Sequence, residues 1–248
     1  MINQAKLEFA KNQKFDFKIG DYLNNAFKIY GQNWQQFSLF TFVSLLITLV
    51  SAITIVGPYL LMYPIQMGYG HVVNKIEKGE TFEFNDFFIG FKKWTRFITF
   101  FIVMLIICLA LFIPLFLMMG GIGAFVQHNE VASPVLGLSF FIIFPVIFFV
   151  AIILTVVTFL VPYIIYYGNY GARESINISI AIVKKNFLYV LLFVLLFSII
   201  SQIGVYLCFI GIFASMPIGY IMAYLMVKDL LLNDNQNEID TIGQSQDL

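Results

Sequence analysis

Three long stretches of this chain carry almost no charge. Between Ile29 and Asn74, and between Asn186 and Val227, there is no Lys, Arg, Asp or Glu; between Phe97 and Ala172 the only one is Glu130. A helix crossing a hydrocarbon core about 30 Å thick needs about 20 apolar residues, and few soluble folds tolerate uncharged runs of this length. With 248 residues that are 60% hydrophobic and 11% charged, too little polar surface is left for a soluble globule. The fold class that follows is all-α, a polytopic transmembrane helical bundle embedded in the lipid bilayer.

Read on that ruler, the stretches divide into six spans: Gln36–Val56, Tyr59–Ile76, Phe97–Met119, Leu138–Tyr166, Phe187–Ile210 and Phe213–Leu232. The second and sixth are joined to their predecessors by only "IVGP" and "FIGIF" and each contains a proline, so a re-entrant pair is the rival reading there. The chain then has an N-terminal segment (1–35) with an interfacial helix, a membrane domain (36–232), and an acidic tail (233–248) without apolar periodicity, expected to be disordered. The first 35 residues show no apolar core before a small-residue cleavage site, so no removable signal peptide is expected.

Basic residues are retained on the cytoplasmic side during insertion. With both termini inside, six spans place all 14 lysines and arginines in cytoplasmic segments. Trp34, Trp94, Tyr163, Tyr166, Tyr167 and Tyr170 then fall at the same interface, where amphipathic rings are favoured.

The chain also repeats itself. A shift of 153 positions pairs Asn33 with Asn186, Trp34 with Phe187, Phe40 with Phe193, Ile47 with Ile200, Pro64 with Pro217 and Lys75 with Lys228. Upstream, Leu23, Phe27 and Tyr30 fall on Ile176, Ile180 and Val183, an apolar stripe that predicts an amphipathic helix in each copy. "SINISIAIV" alone alternates like a strand, but its register with the first copy assigns it to that helix. "FNDFFIGFKKW" is a weaker third copy, with Phe87, Phe91 and Trp94 on one helical face. The expected architecture is three parallel hairpin units, each preceded by an interfacial amphipathic helix.

Pro64 and Pro217 recur and are read as helix kinks. His71 does not recur: it falls on Tyr224, as Gln66 falls on Gly219. Gly211, Ser215, Gly219 and Ala223 recur every fourth residue, a small-residue face that lets another helix approach closely. The first hairpin and a second protomer are the two alternatives for what it faces. Gln66, Tyr69, His71 and Gln202 are the weak candidates for binding; Gln66, Gln202, Ser44, Thr48 and Ser201 are expected to make interhelical hydrogen bonds.

No span holds a carboxylate, lysine or arginine at depth, the group an ion-coupled carrier or intramembrane enzyme ordinarily keeps. No catalytic residue, metal site or cofactor is therefore nominated. Glu77, Glu80, Glu83 and Asp86 share a loop with interleaved lysines and read as a solvated turn, while Gln127, His128, Asn129 and Glu130 are too few in ligand type for zinc. Cys108 and Cys208 fall within spans, as small apolar side chains rather than a disulfide. Nucleic acid is excluded as a partner by the one-for-one balance of acids and bases.

The succession "IGDYLNNAFKIYGQNW", "GYGHVVNKIEKGETFEFNDFFIGFKKW" and "ESINISIAIVKKNF", closed by the proline-containing hairpin, resembles the uncharacterised bacterial multi-pass proteins related to the membrane domain of glycerophosphodiester phosphodiesterases. The likeness runs from about Phe15 to Leu232. In that family the phosphodiesterase chemistry belongs to a separate soluble domain, so the resemblance implies an architecture and a bacterial cytoplasmic membrane, and carries over no catalytic residue. Proteins of similar appearance labelled carotene oxygenases need four histidines for iron, and this chain has two. The expected function is a non-catalytic accessory or scaffolding membrane domain in lipid or envelope processes, with a membrane protein partner or a homo-oligomer. The alternative is a small permease for a neutral or amphipathic solute, in which Gln66, Gln202 and Tyr69 would line one cavity.

Overall fold

A computed structural model describes residues 1–54, 56–127, 133–206 and 210–233, with side chains for those outside 114–143. Helix α1 (Gln4–Asn12) starts at Asn3, whose Oδ1 accepts the amides of Ala5 and Lys6 at 2.9 and 3.2 Å, the ordinary N-cap arrangement. It is followed by α2 (Ile19–Gln32), α3 (Trp34–Ser51) and α4 (Gly57–Glu77), then a 3-10 segment (Phe84–Lys93). The chain continues through α5 (Trp94–Gln127), α6 (Ser133–Thr158), α7 (Val161–Gly168), α8 (Ala172–Tyr206) and α9 (Ile212–Leu231). Among the described residues the only strand-like pairing is an isolated antiparallel bridge from Ile2 to Leu232.

The repeat is visible in the backbone. Asn33 separates α2 from α3 with φ −131° and ψ 26°; Asn186, its partner in the sequence shift, breaks α8 in the middle with φ −124° and ψ 24°. Each asparagine also turns its amide back by one helical turn, Asn33 Nδ2 to the Ile29 carbonyl at 3.2 Å and Asn186 Nδ2 to the Ile182 carbonyl at 3.1 Å. A non-helical residue leaves carbonyls of the preceding turn without their amide, and the same side chain supplies the donor in both copies. "SINISIAIV" is helical within α8.

The fully buried row of the two amphipathic helices lies beside the expected stripe, of which Val183 is buried and Leu23, Tyr30 and Ile176 pack half-buried against the core. Tyr22, Ala26 and Ile29 are buried in α2, and Ser175, Ser179 and Ile182 at the equivalent positions of α8, whereas Phe27 and Ile180 are exposed. Ala26 and Ser179 are small enough for a close helix contact, and the bulkier Phe27 and Ile180 are left on the outer flank. A second correction concerns the third copy. Residues 84–93 wind as a 3-10 helix, whose period of three puts Phe87 and Gly90 in the buried row, while Phe91 stacks on Trp94 at 5.5 Å. Further on, Phe97 and Phe100 are buried at the same distance from Trp94 as Phe37 and Phe40 are from Trp34.

Among the described residues, four helical stretches are long and apolar enough to cross a membrane: Trp34–Ser51, Phe84–Ile113, Phe144–Gly168 and Ala172–Tyr206. Neither α4 nor α9, expected as the second and sixth spans, is among them. These two form the centre of the bundle instead: every residue from Pro64 to Gly70 and from Ile221 to Val227 is buried. A helix enclosed on all sides by protein can carry glycine, proline and tyrosine where a lipid-facing one carries Leu and Ile. The expected fourth span, Leu138–Tyr166, is also divided, into α6 and α7, at Phe159 and Leu160; Pro162, in the first turn of α7, has no amide with which to continue the helix.

Burial is concentrated at one end. There α1, α2, the 3-10 segment, α7 and the first half of α8 surround the C-terminal halves of α4 and α9, and Asn3 ties the N-terminus to α9 by donating to the Leu231 carbonyl at 2.8 Å. Thirteen of the 14 basic residues lie in these elements or the turns that join them, and the last, Arg96, lies in the first turn of α5 directly after the 3-10 segment. At the other end the helices present large apolar side chains outward, among them Leu49, Ile53, Phe149 and Tyr206.

Candidate functional site

Where α4, α7 and α9 meet, the packing is built from tyrosine. Gln66 Nε2 donates to the Tyr163 hydroxyl at 2.9 Å, Thr41 and Tyr69 share a hydroxyl hydrogen bond of 2.8 Å, and Asn74 Nδ2 donates to Tyr224 at 2.6 Å. Each bond joins two different elements, so the polar groups orient helices that apolar packing alone would leave free to slide. Tyr69 stacks on Tyr220 at 5.0 Å and meets Phe40 edge-on at 4.9 Å. A cavity of about 170 Å³ remains beside this junction, with Tyr63, Gln66, Thr158, Phe159, Phe197 and Tyr220 in its wall.

Of the sequence-derived binding residues, only Gln66 lines that cavity. Tyr69 is fully buried and reaches it only through Tyr220; Gln202 is exposed on α8; His71 is half-buried toward the end of α4 and has no hydrogen-bond partner among the described residues. The expected interhelical bonds are made by Gln66 alone. Thr48 donates to the Ser44 carbonyl of its own helix, and the Ser44 and Ser201 hydroxyls are buried without partners among the described residues.

Within the chain, the small-residue face of α9 meets α8, the helix that precedes it. Ser215 Oγ donates to the Ser201 carbonyl at 3.3 Å, and a side chain at Gly219 would collide with Ser201, as one at Gly204 would with Ser215 and the Gly211 backbone. Ala223 is fully buried. The first copy uses a different device. A Cβ on Gly68 would strike the Phe87 carbonyl and one on Gly90 the Pro64 carbonyl, so α4 and the 3-10 segment touch backbone to backbone. Pro64 and Pro217 lie inside continuous helices, α4 and α9.

Ion pairs close the packed end. Lys75 pairs with Asp86 at 2.8 Å and its repeat equivalent Lys228 with Glu77 at 2.9 Å, so two of the loop carboxylates are engaged. Lys93 Nζ and Arg96 Nη1 both donate to Asn169 Oδ1, at 2.7 and 2.9 Å, beside the end of α7, where a left-handed residue (φ 60°) terminates the helix. Tyr22 donates to Asp229 at 2.6 Å; burial, and after it the neighbouring Asp229, holds its phenol well above the usual range, so it stays a donor.

Three residues that sequence reasoning passed over prove central. Asn186 binds the Ile182 and Ala10 carbonyls and accepts the Phe15 amide at 2.8 Å, which docks the N-terminal segment; its recurrence as Asn33 was the available signal. Gly68 and Tyr163 had none beyond composition. Cys108 is a free, half-buried thiol. Cys208, the side chain of Gln127, residues 128–130 and residues 234–248 lie outside the described residues. Among the described residues no group of three or more His, Cys, Asp or Glu is gathered as a metal site would need.

Fold and site together define a helical protein with apolar helices of membrane-spanning length around a tyrosine-rich junction. Comparison with protein-family models, curated proteins and solved structures finds no match to this chain.

Proposed function

We propose that the chain is a non-catalytic accessory or scaffolding protein of the bacterial cytoplasmic membrane, with six spans, both termini cytoplasmic, and a role in lipid or envelope processes. One observation carries the reading: the polar side chains at the centre of the bundle are largely spent on each other. Gln66, Thr41 and Asn74 each satisfy a buried tyrosine from another helix, which is what a rigid framework requires. The resemblance to multi-pass phosphodiesterase membrane domains supports the same assignment. α4 and α9 cross as the protein-enclosed members of their hairpins, which is why hydropathy alone passes over them.

The test is a cross-linked pull-down from native membranes with mass spectrometry of retained proteins. A stoichiometric protein partner is expected; recovery of the chain alone overturns the accessory role. A permease for a neutral solute is the second reading, favoured by Gln66 in the wall of the cavity. It predicts solute flux in reconstituted vesicles that falls in Gln66→Leu.

A further inference from the structure

The cavity beside the tyrosine junction is more than a packing defect. Gln66 is only 6% exposed, and its amide nitrogen is taken by Tyr163, yet its amide oxygen has no partner among the described residues. The hydroxyls of Tyr63 and Tyr220, in the same wall, also make no hydrogen bond among the described residues. None of these three oxygens is sealed from the surface, unlike the four buried unpartnered hydroxyls of Ser44, Tyr167, Ser175 and Ser201. Thr155 and Thr158, which complete the polar part of the wall, already donate to carbonyls of their own helix at 2.8 and 2.7 Å. Three residues that line one space, Gln66, Tyr63 and Tyr220, thus each carry an oxygen without a hydrogen bond among the described residues, in surroundings where an unmet polar group is costly.

The opening defines where an occupant comes from. Met62 and Thr155, at its edge, are exposed on the apolar flank of the bundle, and a second apolar hollow of about 190 Å³ between α6 and α8 shares Thr155 with it. No charged side chain and no histidine lines either hollow, so a phosphate or an ammonium would be left without a counter-charge in a poorly solvated place. The volume is close to the roughly 150 Å³ that takes up a benzene-sized molecule, too small for a complete lipid headgroup.

We propose that this cavity binds the hydroxyl or ester end of an uncharged membrane amphiphile, of the diacylglycerol or long-chain alcohol type, entering sideways from the bilayer. The Gln66 amide oxygen accepts from the ligand's hydroxyl, the Tyr63 and Tyr220 hydroxyls donate to its oxygen, and the hollow between α6 and α8 takes an adjoining stretch of acyl chain. This rests on the membrane reading above, and gives the lipid role a ligand class.

The full chain, reconstituted in vesicles, is irradiated with a diacylglycerol carrying a diazirine on one acyl chain and, separately, with a phosphatidylglycerol carrying the same group. Labelling by the diacylglycerol is expected to concentrate on peptides around residues 59–66 and 155–163, and to be competed by unlabelled diacylglycerol or hexadecanol. Which competitor is stronger separates the ester from the alcohol source. The double variant Tyr63→Phe, Tyr220→Phe keeps both rings and should lower that labelling by about tenfold, the loss expected for two neutral hydrogen bonds, with unchanged melting temperature. Equal labelling by both probes, labelling spread over the whole apolar surface, no labelling, or a double variant that labels like the parent overturns the site. Alkaline carbonate extraction of the same vesicles separates the two claims: a retained protein without selective labelling refutes the cavity ligand alone, and a released protein refutes the membrane reading.

Discussion

At the scale of single residues, Asn186 and Asn33 are one solution used twice with different stakes. Asn186 is buried and holds three backbone groups, including the Phe15 amide at 2.8 Å; Asn33 is half-buried and returns one bond to its own helix. Asn186→Ala strands a half-buried N–H and two carbonyls, and should cost about 1–3 kcal/mol; Asn33→Ala loses one bond, about 0.5–1.5 kcal/mol. Thermal unfolding in detergent measures both, and limited proteolysis should show residues 1–15 released in the first variant only. Equal effects would mean that Asn186 does not anchor the N-terminal segment.

Helices and their contacts make a different set of demands. Gly68 and Gly219 sit where backbones or small side chains leave no room for a Cβ, whereas Gly20 meets nothing. Gly68→Ala should destabilise by about 1–3 kcal/mol and Gly219→Leu by at least as much, while Gly20→Ala and His71→Ala stay within about 0.5 kcal/mol of the parent. Melting curves and size-exclusion profiles check the series; if Gly68→Ala and Gly219→Leu leave both unchanged, the close contacts are not structural. Part of this was legible in advance. The fourfold spacing of Gly211, Ser215, Gly219 and Ala223 announced a contact face, and the shift of 153 positions announced which helices are equivalent. The partner of that face was not legible, because small residues say that something approaches and not what. The buried row of α2 departs from the expected stripe at Phe27 because a helix apolar on two flanks, with Tyr22 and Ala26 inward, Leu23 and Tyr30 half-buried and Phe27 outward, has no single apolar direction. The 3-10 segment was missed because α and 3-10 periods agree over the first few residues and diverge only at Gly90.

Over the whole molecule, the uncharged stretches predict the class of protein, and the distribution of the basic residues corresponds to an asymmetry among the described residues: one end densely packed and polar-rimmed, the other with large apolar side chains exposed. What hydropathy could not rank is the difference between a helix that faces lipid and one that faces protein. α4 and α9, buried over Pro64–Gly70 and Ile221–Val227, are the least apolar of the expected spans for that reason, and whether they cross decides the topology. Reporter fusions after Lys78, after Glu130 and at the C-terminus measure this directly. Six spans predict cytoplasmic, external and cytoplasmic signals in that order. A fusion after Lys78 that reports on the external side would show that α4 does not cross, and would contradict the paired-hairpin arrangement on which the proposed orientation depends.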